Sequence, residues 1–159
     1  MTYHVDIVEG LKTLPDAIAA EVEGLSEEEL GRKPDGEWSI KEVCGHLLDD
    51  SLVWRQRLRM MITQADPILP RYEQESLVAE RGYQQAEFAS ILGQLRAVRV
   101  EIAEMLSALP RDGWKRIGRH QERGRLNIRQ AMEWVLEHQE IHLRQIREVK
   151  SRVAAAAQA

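Results

Sequence analysis

Phe88, Ile91, Leu95, Val98, Ile102, Met105 and Leu109 follow one another at steps of three, four, three, four, three and four residues. On a helix these positions fall on one stripe, and a stripe of that length is hidden only by packing against other helices. Three further segments carry the same signal. Val8, Leu11, Leu14, Ile18, Val22 and Leu25 mark a first helix over roughly residues 5–24. Pro15 should kink or restart it, because proline lacks the amide and crowds the preceding turn. Ile40, Val43, Leu47, Trp54, Leu58 and Met61 mark a second helix, ending near Gln64 before Asp66-Pro67 and Pro70. Its start is written in Ser39-Ile40-Lys41-Glu42, a capping box in which the Ser39 hydroxyl accepts from the Glu42 amide and Glu42 reaches back, with Trp38 and Val43 as the hydrophobic staple. Ile128, Ala131, Val135, His138, His142, Ile146 and Val149 mark the last helix, from a cap at Asn127 to about Arg152.

Lys33-Pro34-Asp35-Gly36 and Leu109-Pro110-Arg111-Asp112-Gly113 are the turn signals between these segments, and no segment reads as a strand. Four long amphipathic helices in 159 residues predict an all-α fold, a four-helix bundle over residues 1–153. The Ala-rich end, residues 154–159, has no apolar periodicity and is expected to fray. The link between the second and third helices is long enough for a crossover, so a simple up-down-up-down order does not follow.

Composition removes several classes of function. With 43% hydrophobic and 30% charged residues, the chain is too apolar for disorder and too charged for a membrane protein. It lacks any run near the roughly eighteen apolar residues of a membrane span. Met1-Thr2-Tyr3-His4-Val5-Asp6 has no basic start followed by an apolar stretch, so a cytoplasmic location is expected. The lone Cys44 excludes an internal disulfide framework and a cysteine-based zinc cluster. A net charge of −4 argues against general nucleic-acid binding. The charge is uneven, however: Arg111, Lys115, Arg116, Arg119, Arg123, Arg125 and Arg129 crowd residues 111–129 against Asp112 and Glu122. A solvated loop and helix entrance is the plain reading, and a positive field that draws an anionic small molecule is the sharper one.

The last helix carries the chemistry. His138 and His142 occupy consecutive places on its apolar stripe, where aliphatic side chains would be usual. Their four-residue spacing sets the two rings side by side one turn apart, able to share a divalent metal. Two buried histidines satisfied by hydrogen bonds are the structural alternative. His46 lies on the second helix between Val43 and Asp50, and if the two helices are neighbours it completes a three-imidazole set. Three protein ligands and an open position is the arrangement of a catalytic site, four ligands that of a structural one.

Familiar patterns fail on spacing. Gln139 stands where a zincin needs Glu, in His138-Gln139-Glu140-Ile141-His142. The residues three before His46, His138 and His142 are Val43, Val135 and Gln139, which removes the di-iron carboxylate motif. Cys44 is about 200° around the helix from His46 and reads as an inert core thiol.

The stretch Trp38-Ser39-Ile40-Lys41-Glu42-Val43-Cys44-Gly45-His46-Leu47-Leu48-Asp49 resembles the second-helix signature of the DinB-like superfamily. Gly124-Arg125-Leu126-Asn127-Ile128-Arg129-Gln130, followed by His138-Gln139-Glu140-Ile141-His142-Leu143-Arg144-Gln145-Ile146, resembles its C-terminal signature. The order is right and the resemblance covers about the whole chain; Gln139 replaces the family's usual Asp. The resemblance implies up-down-down-up connectivity, a homodimer, and a divalent metal, zinc or nickel foremost, on the three histidines. It also implies kinship with transferases and an isomerase that use low-molecular-weight thiols such as bacillithiol or mycothiol.

The reading that follows is a metal-dependent enzyme in which His46, His138 and His142 hold the ion and a thiol or water takes the open position. The metal lowers the pKa of that group, and a bound thiolate gives thiol transfer, which the resemblance alone puts first, where a hydroxide gives hydrolysis. Asp50 or Asp49 is placed to orient an imidazole or take a proton, with a solvent-facing role as the alternative, above all for Asp49. Arg57 and Trp54 are candidates for the pocket mouth, Trp54 also for the core. A non-catalytic, dimeric ligand-binding or partner-binding bundle with a structural metal or none is the competing reading, and a fourth protein ligand, from Asp50 or a partner subunit, would favour it. His4, His120, Tyr72 and Tyr83 carry no assignment from sequence.

Overall fold

Pro15 restarts the first helix. Helix α1 (Val5–Lys12) ends at Thr13, and α2 (Leu14–Glu21) begins with the proline in its first turn, where an amide would have no helical partner. The computed structural model describes residues 1–158. After α2 come α3 (Glu27–Gly31), α4 (Ile40–Thr63), α5 (Gln74–Arg81) and α6 (Phe88–Ser107), then a hairpin of β1 (Ile117–His120) and β2 (Gly124–Asn127), then α7 (Ile128–Gln158). The four bundle helices are α1–α2, α4, α6 and α7. None of the described helices is long and apolar enough to cross a membrane.

Side-chain pairings give the helix directions. Lys41 at the start of α4 donates to Ala86 O just before α6, and Arg55 further along pairs with Glu101 at 3.0 Å, so α4 and α6 run parallel. Arg99 reaches Leu11 O and Arg96 reaches Asp16, so α6 runs against α1–α2. Gln139 reaches Gly10 O and Arg147 reaches Glu21, so α7 runs with α1–α2. His46 faces His142 and Trp54 faces Trp134, so α4 and α7 are antiparallel. The order is therefore up-down-down-up. Two consecutive parallel helices need a link spanning the bundle, and residues 64–87 supply it.

The helix starts behave as their sequences dictate. Ser39 Oγ accepts from Glu42 N and Glu42 Oε1 accepts from Ser39 N, both at 3.2 Å. Asn127 Oδ1 accepts from Gln130 N at 2.8 Å, and Gln130 Oε1 accepts from Asn127 N at 3.0 Å, a reciprocal cap at the entry to α7. α7 spans Ile128–Gln158 and so runs into the Ala-rich end; alanine has the highest helix propensity. Ala159 lies outside the described residues.

Residues 111–129 correct the sequence reading. They contain a 3₁₀ turn, Arg111–Lys115, and the β1–β2 hairpin, which was not expected. Arg119 and Arg125 both bind Asp66, at 2.7 and 3.0 Å, Arg129 binds Glu133, and Arg116 donates to the carbonyls of Met61 and Gln64. Much of the positive charge is thus spent inside the fold. Residues 67–69 run parallel beside β1, with Leu69 N donating to Arg119 O at 2.9 Å and Arg119 N to Pro67 O at 2.8 Å. This small sheet closes one end of the bundle.

Gly45 on α4 has the tightest neighbour of any glycine described. A Cβ there would lie 2.1 Å from Tyr83 Cδ2. Its absence lets the Tyr83 ring lie on the helix, where the hydroxyl donates to the buried Asp49 at 2.6 Å. Gly45→Ala must expel that ring and is expected to cost about 1–3 kcal/mol, although alanine is the better helix former. Urea unfolding of the variant checks this, and an unchanged or raised midpoint contradicts it.

Candidate metal centre

The antiparallel packing of α4 on α7 brings His46, His138 and His142 into one cluster. Each offers a ring nitrogen, and the three nitrogens lie within 4.8 Å of one another. The Nε2 atoms of His138 and His142 are 3.2 Å apart, near the edge of about 3.3 Å that a tetrahedral zinc with nitrogen bonds of 2.0–2.1 Å requires.

The far sides of these rings fix which nitrogen faces inward. His142 Nδ1 donates to Gln145 Oε1 at 2.8 Å, leaving Nε2 as a lone pair. His138 turns Nδ1 toward Asp50 Oδ2 at 3.6 Å, long for a hydrogen bond but within ion-pair range, and it too presents Nε2 inward. At 3.2 Å the pair is joined either by His138 Nε2–H donating to His142 or, with the His138 proton on Nδ1, by a cation between two lone pairs. Carboxylate or amide partners on the outer nitrogen are the usual way a metal-ligating histidine is oriented.

His46 is wholly buried, and neither of its nitrogens has a hydrogen-bond partner among the described residues. Buried polar atoms are almost always paired. A metal on one nitrogen removes the anomaly, so the donor set fits a divalent transition metal. Burial, followed by the neighbouring His142, pushes His46 down to about 4. Burial also lowers His142, despite the opposing bond from Gln145. Neutral imidazole is the form that ligates.

In the metal-free protein this has a sign. The unfolded chain binds a proton at His46 near pH 6.5, the folded one only near pH 4. The unfolded state therefore holds more protons in that interval, and stability contributed by neutral His46 is lost as pH falls from about 6.5 toward 4. Chelator-treated protein should show a falling urea midpoint over this range, and His46→Gln should flatten the slope. A slope unaffected by the substitution contradicts the assignment.

Asp50 is the acid that faces the cluster. Its Oδ1 accepts from the Tyr72 hydroxyl at 2.7 Å while Oδ2 faces His138. Burial opposes its ionisation, but His138 and Tyr72 outweigh that and hold the carboxyl below its usual range. It sits behind His138 and is not among the residues that converge on the candidate metal position; no fourth protein ligand joins the three histidines among the described residues. Asp50→Asn is expected to weaken metal binding about ten- to hundredfold, as loss of an orienting carboxylate does. Competition against a chromogenic chelator measures it, and unchanged affinity contradicts it.

Asp49 does not face solvent. It is 1% exposed and bound by Tyr83, with Arg81 at 3.5 Å, on the α5 side of α4. Cys44 is buried, and burial pushes its thiol up, consistent with an inert role. Gln139 points away from the histidines into the core, where it accepts from Arg99 at 2.7 Å. Sequence reasoning missed Arg99 altogether, although an arginine directly after Val98 borders the seam of α6. His4 packs on Trp114.

A cleft of about 280 Å³ opens beside the cluster, shares His138 with it and is lined by Asp50 as well. Arg57 and Trp54 line it, as do Tyr72 and His120, which the sequence left unassigned. Trp54 is 3% exposed and serves core and cleft together.

Comparison with known proteins shows the family and the fold. A family model describing the DinB superfamily matches residues 11–146. YuaE of Bacillus subtilis is 27% identical over 150 residues, covering 86% of this chain and 92% of its own. A protein of Oceanobacillus iheyensis, whose name places it provisionally among metal-dependent hydrolases, is 26% identical over 146 residues, covering 89% and 84%. The structure of YfiT from Bacillus subtilis, described as a probable metal-dependent hydrolase with an unusual four-helix bundle topology, superposes with a TM-score of 0.86 at 20% identity, covering 94% of this chain and 87% of that one.

Proposed function

The chain belongs to the DinB superfamily, and we propose that it is a metal-dependent hydrolase whose metal is held by His46, His138 and His142. The observation that carries this reading is the three-imidazole cluster, with no fourth protein ligand among the described residues, beside a cleft that shares His138 with it. A structural metal would be closed off by a fourth ligand. The names of relatives point the same way.

A divalent zinc or nickel ion there would supply Lewis acidity and a nucleophile at neutral pH. The chain's residues do the rest. His46, fixed in the core, and His142, held by Gln145, set two corners of the site. Asp50 orients His138 through Nδ1 and is itself steadied by Tyr72. Trp54 and Trp134 pack edge to face at 5.7 Å and give the cleft a rigid apolar wall that limits water. Asp50 also lines the cleft, as a carboxylate kept ionised by His138 and Tyr72 against its burial.

The same open position suits a low-molecular-weight thiol, so thiol transfer is the reading to separate. Zinc-loaded and nickel-loaded protein should be run against ester, amide and phosphoester substrates, with and without added thiol. Hydrolysis that needs the metal, needs no thiol and disappears in His142→Ala is the expected result. Turnover only when thiol is present, with a thioether product, would replace hydrolysis by transfer. No turnover with either metal, under both conditions, contradicts an enzymatic role.

A further inference from the structure

Arg57 is 5% exposed, yet it forms no salt bridge among the described residues. Its Nε and Nη2 both donate to Pro70 O, at 3.2 and 2.7 Å, and its guanidinium lies over Trp54, 4.7 Å from the ring centre. That leaves Nη1 without a partner, on a side chain that lines the cleft. The Tyr72 ring lies 6.0 Å away and Asp50 favours the charge from a distance, but a nearly buried cation whose one hydrogen-bond acceptor is a carbonyl is costly unless something else completes it.

His120 lines the same cleft, and its tautomer is fixed from behind. In the β1–β2 turn, Nδ1 accepts from the amides of Glu122 and Arg123, at 3.1 and 3.2 Å. Nδ1 is therefore the lone pair, and the neutral ring carries its hydrogen on Nε2, which has no partner among the described residues. Partial burial, followed by the charge of Arg57, holds His120 below its ordinary value. At neutral pH it is an uncharged donor rather than a cation. The hairpin turn thus presents one N–H to the cleft whose other wall supplies a guanidinium.

The cleft also contains acids, and their positions decide the sign. Glu73 and Glu122 are exposed at the rim, where water screens them. Asp50 is buried, but Tyr72 and His138 already engage its two oxygens. The unengaged polar groups of the interior are both donors.

We propose that Arg57 and His120 form an anion-binding subsite in the cleft, and that the substrate carries a carboxylate accepted there by Arg57 Nη1 and His120 Nε2. This rests on the reading of the cleft as the substrate site of a metal enzyme. The subsite selects a small anionic substrate and anchors it beside the imidazole cluster. Arg57 and His120 act in binding and positioning, not in bond making.

Benzoate and its uncharged isostere benzamide are the probes. Each is titrated into zinc-loaded protein and into chelator-treated protein, with tryptophan fluorescence reporting from Trp54 and Trp134. Saturable benzoate binding is expected in both forms, with benzamide about tenfold weaker or more. Arg57→Met and His120→Phe should each weaken benzoate about tenfold or more, whereas His120→Gln, which keeps a donor near Nε2, should stay within about threefold. Arg57→Lys, which keeps the charge but not the fork, reads the same site if Arg57→Met does not fold, with a loss of several-fold expected. Benzoate binding confined to zinc-loaded protein and indifferent to both substitutions would mean that the metal alone holds the anion, and overturns the proposal. Equal affinity for benzamide, or no saturable binding in either form, overturns it too. The chelator-treated arm needs no metal, so failure of zinc loading leaves this result readable. Failure of the anion site leaves the metal reading standing.

Discussion

Arg99→Ala is expected to lower stability by about 3–5 kcal/mol. The side chain is 1% exposed in the centre of the bundle and ties its own helix, α6, to the other three. Nε donates to Ser51 Oγ on α4 at 2.9 Å, and Nη1 donates to Leu11 O on α1 at 2.8 Å and to Gln139 Oε1 on α7 at 2.7 Å. No carboxylate among the described residues pairs with it, and burial lowers its own pKa to about 10, against the pull of Asp50. Truncation leaves three acceptors facing a large cavity, and both the unmade bonds and the void are costly. Against a total of about 5–15 kcal/mol for a domain, that is enough to unfold a sizeable fraction of molecules on warming. Arg99→Lys should recover little, because an ammonium on a flexible stem cannot reproduce the fork. Urea unfolding of the three proteins measures this. A change under about 1 kcal/mol for Arg99→Ala would mean that the network contributes little beyond solvating a buried charge.

His46→Leu should act with opposite signs in the two states of the protein. Without metal, the wild type buries two imidazole nitrogens that have no partner, and an aliphatic side chain of similar size removes that cost. The metal-free variant should therefore be more stable than metal-free wild type, by about 1–3 kcal/mol. With metal the order reverses. Structural zinc sites with four ligands bind with about 10–16 kcal/mol, so loss of one ligand costs roughly 2–4 kcal/mol, a factor of about thirty to a thousand in affinity. A buried histidine that were merely core packing would show neither the gain nor the reversal. Thermal unfolding of both proteins, with chelator and with zinc, gives all four values. A variant less stable than wild type under chelator contradicts the orphaned state of His46.

The parts of this molecule that could be read from sequence are those whose signal is local. The three-four spacing on α6, the capping box at Ser39 and the Asn127–Gln130 cap depend on residues within a turn or two, and the helices lie where they put them. The histidine pair on α7 was legible for the same reason, while its union with His46 required only that α4 and α7 be neighbours. A second capping box, Ser26 with Glu29, opens α3 and was equally local, yet it lies in a connector and was passed over. The hairpin could not be read that way. Its four-residue strands have no alternating apolar pattern, and they are held by contacts from elsewhere: Asp66 on Arg119 and Arg125, and Met61 and Leu69 against Gly118. Asp49 failed for a similar reason. Its burial comes from Tyr83, thirty-four residues away, admitted by the missing side chain at Gly45. His120 shows the same dependence, since the turn that fixes its tautomer exists only once the hairpin has formed.

The central claim is that one transition metal bridges α4 and α7 through His46, His138 and His142. Elemental analysis of the purified, tag-free protein, beside His46→Ala and His142→Ala, tests it most directly. About one equivalent of metal per chain is expected in the wild type, with loss in both variants and each variant still folded. A wild type that holds no metal even after incubation with zinc and nickel, or variants that keep it, would rule out a metal held by these three histidines.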